Sequence, residues 1–248
     1  MRSIAADLHV HSALSPCADD SMTPRAIVLA AIAADLDLIA VCDHNSAENV
    51  AAVQEAARDF ADDLFGVIAG MEITTAEEAH ILGLFPDAEK AMRVSEEVAA
   101  HLPPVLPGIR RYGRQCVMNA AGDILREVDY MLSWASDLTV NQTVALIHKY
   151  EGLVIAAHVD RPSFSVISQL GFLPEDVVFD AVEVSVAGMK QGRARDFARM
   201  GPPVITASDT HFLDNIGEGK TIFQVEAPVF SEIALALKNI GERRFHCA

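Results

Sequence analysis

Basic residues are scarce in this chain: 19 Lys and Arg stand against 35 Asp and Glu, for a formal net charge of −16. A long nucleic-acid surface or a membrane surface needs a basic patch, so neither is expected as a partner. Inside a metal site the inference weakens, because three divalent ions would bring the balance to roughly −10. Long apolar runs are lacking too. The longest, residues 26–34, falls far short of a membrane span. At the N-terminus, Asp7 introduces a charge before an apolar stretch can form, which argues against a secretory signal. Only four cysteines are present, Cys17, Cys42, Cys116 and Cys247, with no CxxC pair, so free thiols in a reducing cytoplasm are expected. No internal repeat or low-complexity tract occurs.

What is present is an apolar fraction of 51% in 248 residues, enough for a large core. One domain over residues 1–248 is expected. Short apolar runs at residues 3–9, 36–42, 65–72, 80–85, 152–158, 181–185, 204–208 and 221–225 read as strands. Helical patterns alternate with them at 24–35, 47–62, 88–101, 139–151, 193–200 and 231–241. Thr23-Pro24 is a helix start, with a hydroxyl cap before proline at the first helical position; Ser46 and Ser231 read as similar caps. The alternation predicts an α/β fold of parallel strands with crossover helices. Runs such as Leu38-Ile39-Ala40-Val41 are apolar throughout, as strands buried on both faces are. Residues 86–150 break the rhythm with Pro103-Pro104, Pro107-Gly108 and the basic segment Arg110-Arg111-Tyr112-Gly113-Arg114. They read as a mostly helical insertion beside the site.

Nine good metal-binding residues are placed non-randomly: His9, His11, Asp19, His44, Glu72, His80, His158, Asp209 and His211. The pairs His9-Val10-His11 and Asp209-Thr210-His211 have strand spacing, which aims both members at one side. Most of the set follows the C-terminal ends of predicted strands, where α/β folds place their sites. Oxygen and nitrogen donors suit Mn²⁺, Fe²⁺, Zn²⁺ or Mg²⁺, and nine donors suit two or three ions. Such a cluster activates water and steadies in-line displacement at phosphorus.

The motifs Asp7-Leu8-His9-Val10-His11-Ser12, Met22-Thr23-Pro24, Asp43-His44-Asn45, Gly70-Met71-Glu72-Ile73, His80-Ile81-Leu82-Gly83-Leu84, Ala157-His158-Val159-Asp160-Arg161 and Ser208-Asp209-Thr210-His211 run in one order over residues 7–211. Together they resemble the PHP (polymerase and histidinol phosphatase) family of metal-dependent phosphoesterases. The resemblance implies a distorted (β/α)7 barrel with up to three ions. His9, His11, Glu72 and Asp209 would hold one, and Glu72, His80 and His158 a second. Asp19, His44 and His211 would hold the third. The loop Ser15-Pro16-Cys17-Ala18-Asp19-Asp20 is longer than the family's usual Ser-Asp-Gly, so Asp20 competes with Asp19.

The expected activity is hydrolysis of small phosphate esters, nucleotides or short oligonucleotides by a metal-activated hydroxide, as a phosphatase or a 5′-to-3′ exonuclease. An amidohydrolase-type amide hydrolase, a histidinol-phosphate phosphatase and a non-catalytic metal-stabilised module are the alternatives. Arg161 is a candidate for a bidentate phosphate contact, or a surface arginine paired with Asp160. Asp7 and Asp43 are candidates to orient ligand imidazoles, and His211 to move a proton. Arg114, Arg193 and Lys220 are further phosphate-contact candidates. Cys17 reads as a neutral thiol rather than a ligand, Trp134 as core of the insertion, and His101, His148 and His246 as structural or surface residues.

Overall fold

Eight apolar runs form strands in a computed structural model of the chain, which describes residues 1–61, 64–105 and 112–248. In chain order the elements are β1 (Arg2–Val10), α1 (Pro24–Ala33), β2 (Leu38–Val41), α2 (Val50–Phe60), β3 (Gly66–Thr74), β4 (His80–Phe85), α3 (Ala88–Ala99), β5 (Cys116–Met118), β6 (Ile124–Glu127), α4 (Val140–Lys149), β7 (Leu153–Ala156), α5 (Val166–Leu170), β8 (Ala181–Glu183), α6 (Val186–Lys190), α7 (Ala194–Phe197), β9 (Val204–Ile205), β10 (Thr221–Val225), α8 (Phe230–Leu237) and β11 (Arg244–Cys247). Among the described residues the main sheet has nine strands in the order β11-β10-β1-β2-β3-β4-β7-β8-β9. The strands from β1 to β9 in that order form a distorted (β/α)7 barrel. Past β9 the chain returns to β1, where Thr210 bridges Val10 in parallel and closes most of the ring. β10 and β11 fill the seam, and the Cys247 thiol donates to the Val204 carbonyl across it (3.4 Å).

The expectation of an all-parallel sheet needs correction. β4 runs antiparallel to both β3 and β7, and β10 runs antiparallel to β1 and β11. The β3–β4 connection, residues 75–79, is too short for the crossover that a parallel pair requires. The caps are also partly corrected. Thr23 accepts from the Ala26 N–H as expected (3.3 Å), but α2 begins after Asn49 and α8 after Val229, not at Ser46 and Ser231. The insertion carries a hairpin, β5–β6; Val117 of β5 and Val128, just past β6, join Leu14 and Leu132 in a small core. A three-residue run such as Cys116-Val117-Met118 is too short to read as a strand from sequence. Trp134 lies half-buried outside that small core. The expected helix end at Asp62 and the segment Pro107-Gly108 with Arg110-Arg111 lie outside the described residues. No described helix is long and apolar enough to cross a membrane.

Alternate strand residues fill the barrel. Leu38, Ala40, Cys42, Ile68, Leu82, Leu84, Ile155, Ala181 and Ile205 form its inner cluster. Gly70 belongs to this face. A Cβ there would stand 2.5 Å from the Cys42 Sγ and 2.9 Å from the Val41 carbonyl, so only glycine fits. This apolar plug is the floor of the site.

Candidate metal centre

Above the plug, the inward positions of the same strands turn polar. Cys42 is followed two residues later by His44, Gly70 by Glu72 and Ala181 by Glu183, while His80 precedes Leu82. β1 reaches this geometry through a bulge. Asp7 pairs with Ile39 and Val10 with Val41, so three steps on β1 face two on β2. The extra residue switches the face: Leu8 packs in the inner cluster, but Val10 packs outward against the helices. His9 and His11 are thereby aimed into the barrel mouth. The turn positions His158 and Asp209 adopt left-handed backbone conformations (φ 28° and 49°), an arrangement held only where the surroundings enforce it.

Six histidines and two carboxylates converge there. The Nε2 atoms of His9 and His11 lie 3.1 Å apart, and 3.3 and 3.1 Å from Asp209 Oδ1. They lie 3.5 and 3.4 Å from the oxygens of Glu72. On its far side Glu72 meets His44 Nδ1 (2.9 Å), His80 Nδ1 (2.8 Å) and His158 Nε2 (3.3 Å). The rings of His11 and His211 stack at 4.1 Å, with His44 at 4.7 Å from His11. Three overlapping donor groups result: His9, His11, Glu72 and Asp209; His44, Glu72 and His80; and His11, His44 and His211.

The donor set fits divalent cations. His9 gives its Nδ1 proton to Glu183 Oε2 (2.9 Å). Ser15 spends its only proton on Asp43 Oδ1 (2.7 Å), so it accepts from His11 Nδ1 (2.9 Å). His211 Nδ1 donates to the Asp209 carbonyl (3.1 Å). Each ring therefore turns its Nε2 toward the cluster, the orientation a ligand needs. The lone pairs of His9 and His11 then face each other and two carboxylates, which demands a cation or protons among them. His44 Nδ1, His80 Nδ1 and Glu72 Oε2 are fully buried and make no hydrogen bond despite their proximity. Buried polar atoms in this state call for a partner, and a metal ion provides one.

Electrostatics show the same frustration. Burial would lower His9, but Asp209, Glu183 and Glu72 outweigh it and hold the imidazole well above its usual range. Burial opposes His44 as well, and Glu72 raises it to about 10. Burial and the neighbouring His211 push His11 well below the ordinary value. Burial would raise Glu72 and Asp209, yet the surrounding imidazoles, led by His80 and His9 respectively, keep both well below the carboxylate range.

Other expected residues fall elsewhere. Asp19 is exposed, and its carboxylate accepts from the Ser21 N–H (2.9 Å), so it does not join the third group. Asp20 is exposed and pairs with Arg114, which also holds Glu127. The half-buried thiol of Cys17 lies in the same loop. Burial would raise it, but the neighbouring His211 and His44 imidazoles lower it to about 7. Because of the bulge, Asp7 does not reach the imidazole of His9. Its carboxylate accepts from the N–H groups of Ser208 (3.0 Å) and Gly217 (2.9 Å), and burial raises it to about 6. Asp43 acts on His11 only through Ser15. Arg161 meets Asp209 (2.5 Å) rather than Asp160, which is held by Ser185. Arg193 donates to the Asp160 carbonyl (2.7 Å), and Lys220 does not line the cavity. His101 and His148 pair with Asp137 and Asp180, and His246 lies on β11. Glu183 and Ser15 were missed from sequence. An acid ending the apolar triplet Ala181-Val182-Glu183 was the one available signal for Glu183.

A sequence model of the PHP domain matches residues 7–161, which is more than half of the chain. The chain belongs to the PHP family. No protein of curated function matches its sequence. Among solved structures, the PHP barrel is similar to the lesion-specific endonuclease PfuEndoQ from Pyrococcus furiosus, with a TM-score of 0.74 and 19% identity, covering 98% of this chain and 58% of that one. It thus spans well under two thirds of the endonuclease. A putative metal-dependent phosphoesterase from Bifidobacterium adolescentis aligns with a TM-score of 0.55 at 18% identity, covering 84% of this chain and 88% of its own. An amidohydrolase from Chromobacterium violaceum, solved with bound sulfate and no metal, aligns with a TM-score of 0.59 at 19% identity, covering 86% and 89%. These likenesses establish the shared fold.

Proposed function

We propose that this PHP domain hydrolyses phosphoesters of small molecules, nucleotides or short oligonucleotides. The observation that carries the reading is Arg161, a partly exposed guanidinium bonded to the cluster carboxylate Asp209 in a cavity of about 190 Å³. His44, Glu72, His80, His158 and His211 line the same cavity. Its volume is about six waters' worth, room for a phosphoryl group while the rest of the substrate lies outside. Phe164 forms its rim, 45% exposed and stacked on His80 at 5.0 Å. A nucleobase or another flat group can rest on that ring.

When bound, two or three divalent ions of the Mn, Fe, Zn or Mg type would supply water activation and charge neutralisation at phosphorus. The residues that would hold them are His9, His11, Glu72 and Asp209, then His44, Glu72, His80 and His158, then His11, His44 and His211. Arg161 grips a non-bridging phosphoryl oxygen. Glu183 and the Ser15–Asp43 pair hold His9 and His11 in the ligand tautomer, so Asp43 is a positioning residue. His211 has only Nε2 free. It holds an ion or passes a proton, not both, and its place in the third group favours the ion. Four free thiols fit a reducing cytoplasm. A grip on long DNA has less support, since Arg114 and Arg126 are held by Glu127 and Glu48 on a chain of charge −16.

The test is incubation with Mn²⁺ and a 5′-phosphorylated trinucleotide. Release of 5′-mononucleotides identifies a phosphodiesterase, and orthophosphate alone a phosphatase. Arg161→Ala should weaken turnover of either with the metal content unchanged. Opening of a cyclic amide with no phosphoester cleaved would overturn the reading in favour of an amidohydrolase.

A further inference from the structure

The longest apolar run of the sequence, residues 26–34, makes up nearly all of helix α1, and only part of it is buried. Ile27, Val28 and Ala31 pack inward. Leu29 and Ile32 point away from the core, 42% and 40% exposed, and Ala33 is exposed beside them. Arg25, Leu29, Ile32 and Ala33 fall at i, i+4, i+7 and i+8, so they form a second stripe along the outer side of the helix. A surface helix carries polar residues on that side, whereas a helix apolar all round is covered all round. Phe60, at the end of α2, widens the stripe. It is 39% exposed, and with Ile32, Leu36 and Phe65 it lines a hollow of about 260 Å³.

The charges that bound the stripe show what fits it. Arg25 stands at its start and Asp35 at its end, just past the cap residue Ala34. Both are exposed, and neither forms an ion pair among the described residues; the Arg25 guanidinium lies over the Phe60 ring at 4.5 Å instead. The two charges sit five positions either side of Ala30, and Leu29 and Ile32 straddle the same point. A stripe with opposite charges at equal distances from its middle is complementary to itself when turned end for end. A two-fold axis near Ala30 would lay Leu29 of each copy on Ile32 of the other, and Arg25 of each beside Asp35 of the other. The small side chains of Ala26, Ala30 and Ala33 let two helix axes approach closely. A foreign surface of one charge sign would match only one end.

We propose that the outer face of α1 docks a second copy of this chain, as a two-fold dimer with the α1 helices antiparallel and two Arg25–Asp35 pairs closing the ends. Apolar contact between the Leu29–Ile32 stripes drives the association, and the charged ends fix its direction. With −16 on each copy, long-range repulsion opposes the pair, so it forms where salt screens that repulsion. The dimer is independent of the metal centre and of the substrate.

Sedimentation velocity of the full chain at about 0.15 M salt, where the Debye length is about 8 Å, tests it. The parent should pass from monomer to dimer as its concentration rises through the micromolar range. Arg25→Glu and Asp35→Lys should each stay monomeric, because each sets like charges opposite one another at both ends. Mixed in equal amounts, these two variants should form a heterodimer, since each then meets its opposite at both ends. The double variant Arg25→Glu/Asp35→Lys should regain the homodimer. Recovery on mixing also shows that the single variants are folded, as circular dichroism of each should confirm. A parent that stays monomeric, with the face left to some other partner, overturns the proposal. So do single variants that dimerise like the parent, or folded single variants that fail to pair when mixed.

Discussion

Glu183→Gln isolates what an outer carboxylate contributes to this centre. Glu183 is fully buried, its Oε2 receives the Nδ1 proton of His9 at 2.9 Å, and its Oε1 has no partner. Glutamine keeps the shape and an acceptor oxygen but removes the charge that makes His9 a stronger donor to a metal. Outer partners of ligand histidines are worth about 10- to 100-fold in metal affinity, or about 1.4–2.7 kcal/mol. The hydrogen bond itself drops from charge-assisted to neutral, a loss of about 1 kcal/mol. Removing a buried charge offsets much of that in the metal-free protein. The variant should therefore bind Zn²⁺ or Mn²⁺ about 10- to 100-fold more weakly, yet unfold within about 1 kcal/mol of the parent when both are metal-free. Chelator competition measures the first and thermal denaturation the second. Parental metal affinity in a folded Glu183→Gln protein would refute the role given to Glu183, and a large loss of metal-free stability would show that Glu183 serves the fold instead.

Asp19→Ala should leave metal stoichiometry and affinity unchanged by the same competition assay, because its carboxylate faces solvent and caps only its own turn. Gly70→Ala should destabilise the barrel by about 1–3 kcal/mol, read as a lowered Tm, since the new methyl group would meet Cys42 and the Val41 carbonyl below van der Waals distance. His9 and His44 are both raised in the metal-free centre, His44 to about 10, so metal loading near pH 7 must expel protons. Calorimetry in buffers of different ionisation enthalpy should detect their release, and affinity should climb as pH rises. The stability these two imidazolium groups contribute is complete below about pH 6.5 and is lost as pH rises toward 10, so the metal-free protein should weaken over that window. A flat denaturation midpoint across it would contradict this.

Local pattern carried much of this protein. The apolar runs within Leu36–Cys42 and before His158 depend on neighbours in the chain, and so does the Thr23-Pro24 helix start. These could be read directly, as could the gathering of histidines at strand ends. What escaped was whatever depends on counting one strand against another. The β1 bulge exists only relative to β2, and it carries His9 and His11 inward while taking Asp7 away from the imidazole it was expected to orient. Glu183 reaches His9 from 174 residues away, a distance no periodicity spans. In the ligand loop, sequence offers two acids and a thiol within four positions, Cys17 to Asp20. Only the folded loop, pinned to His211 and backed by Gly113, leaves both acids in water and the thiol half-buried. Sequence by itself determined which side chains were available for a metal centre and roughly where along each strand. Tertiary structure decided which of them face one another, because strand register and loop closure are set by packing between segments remote in the chain.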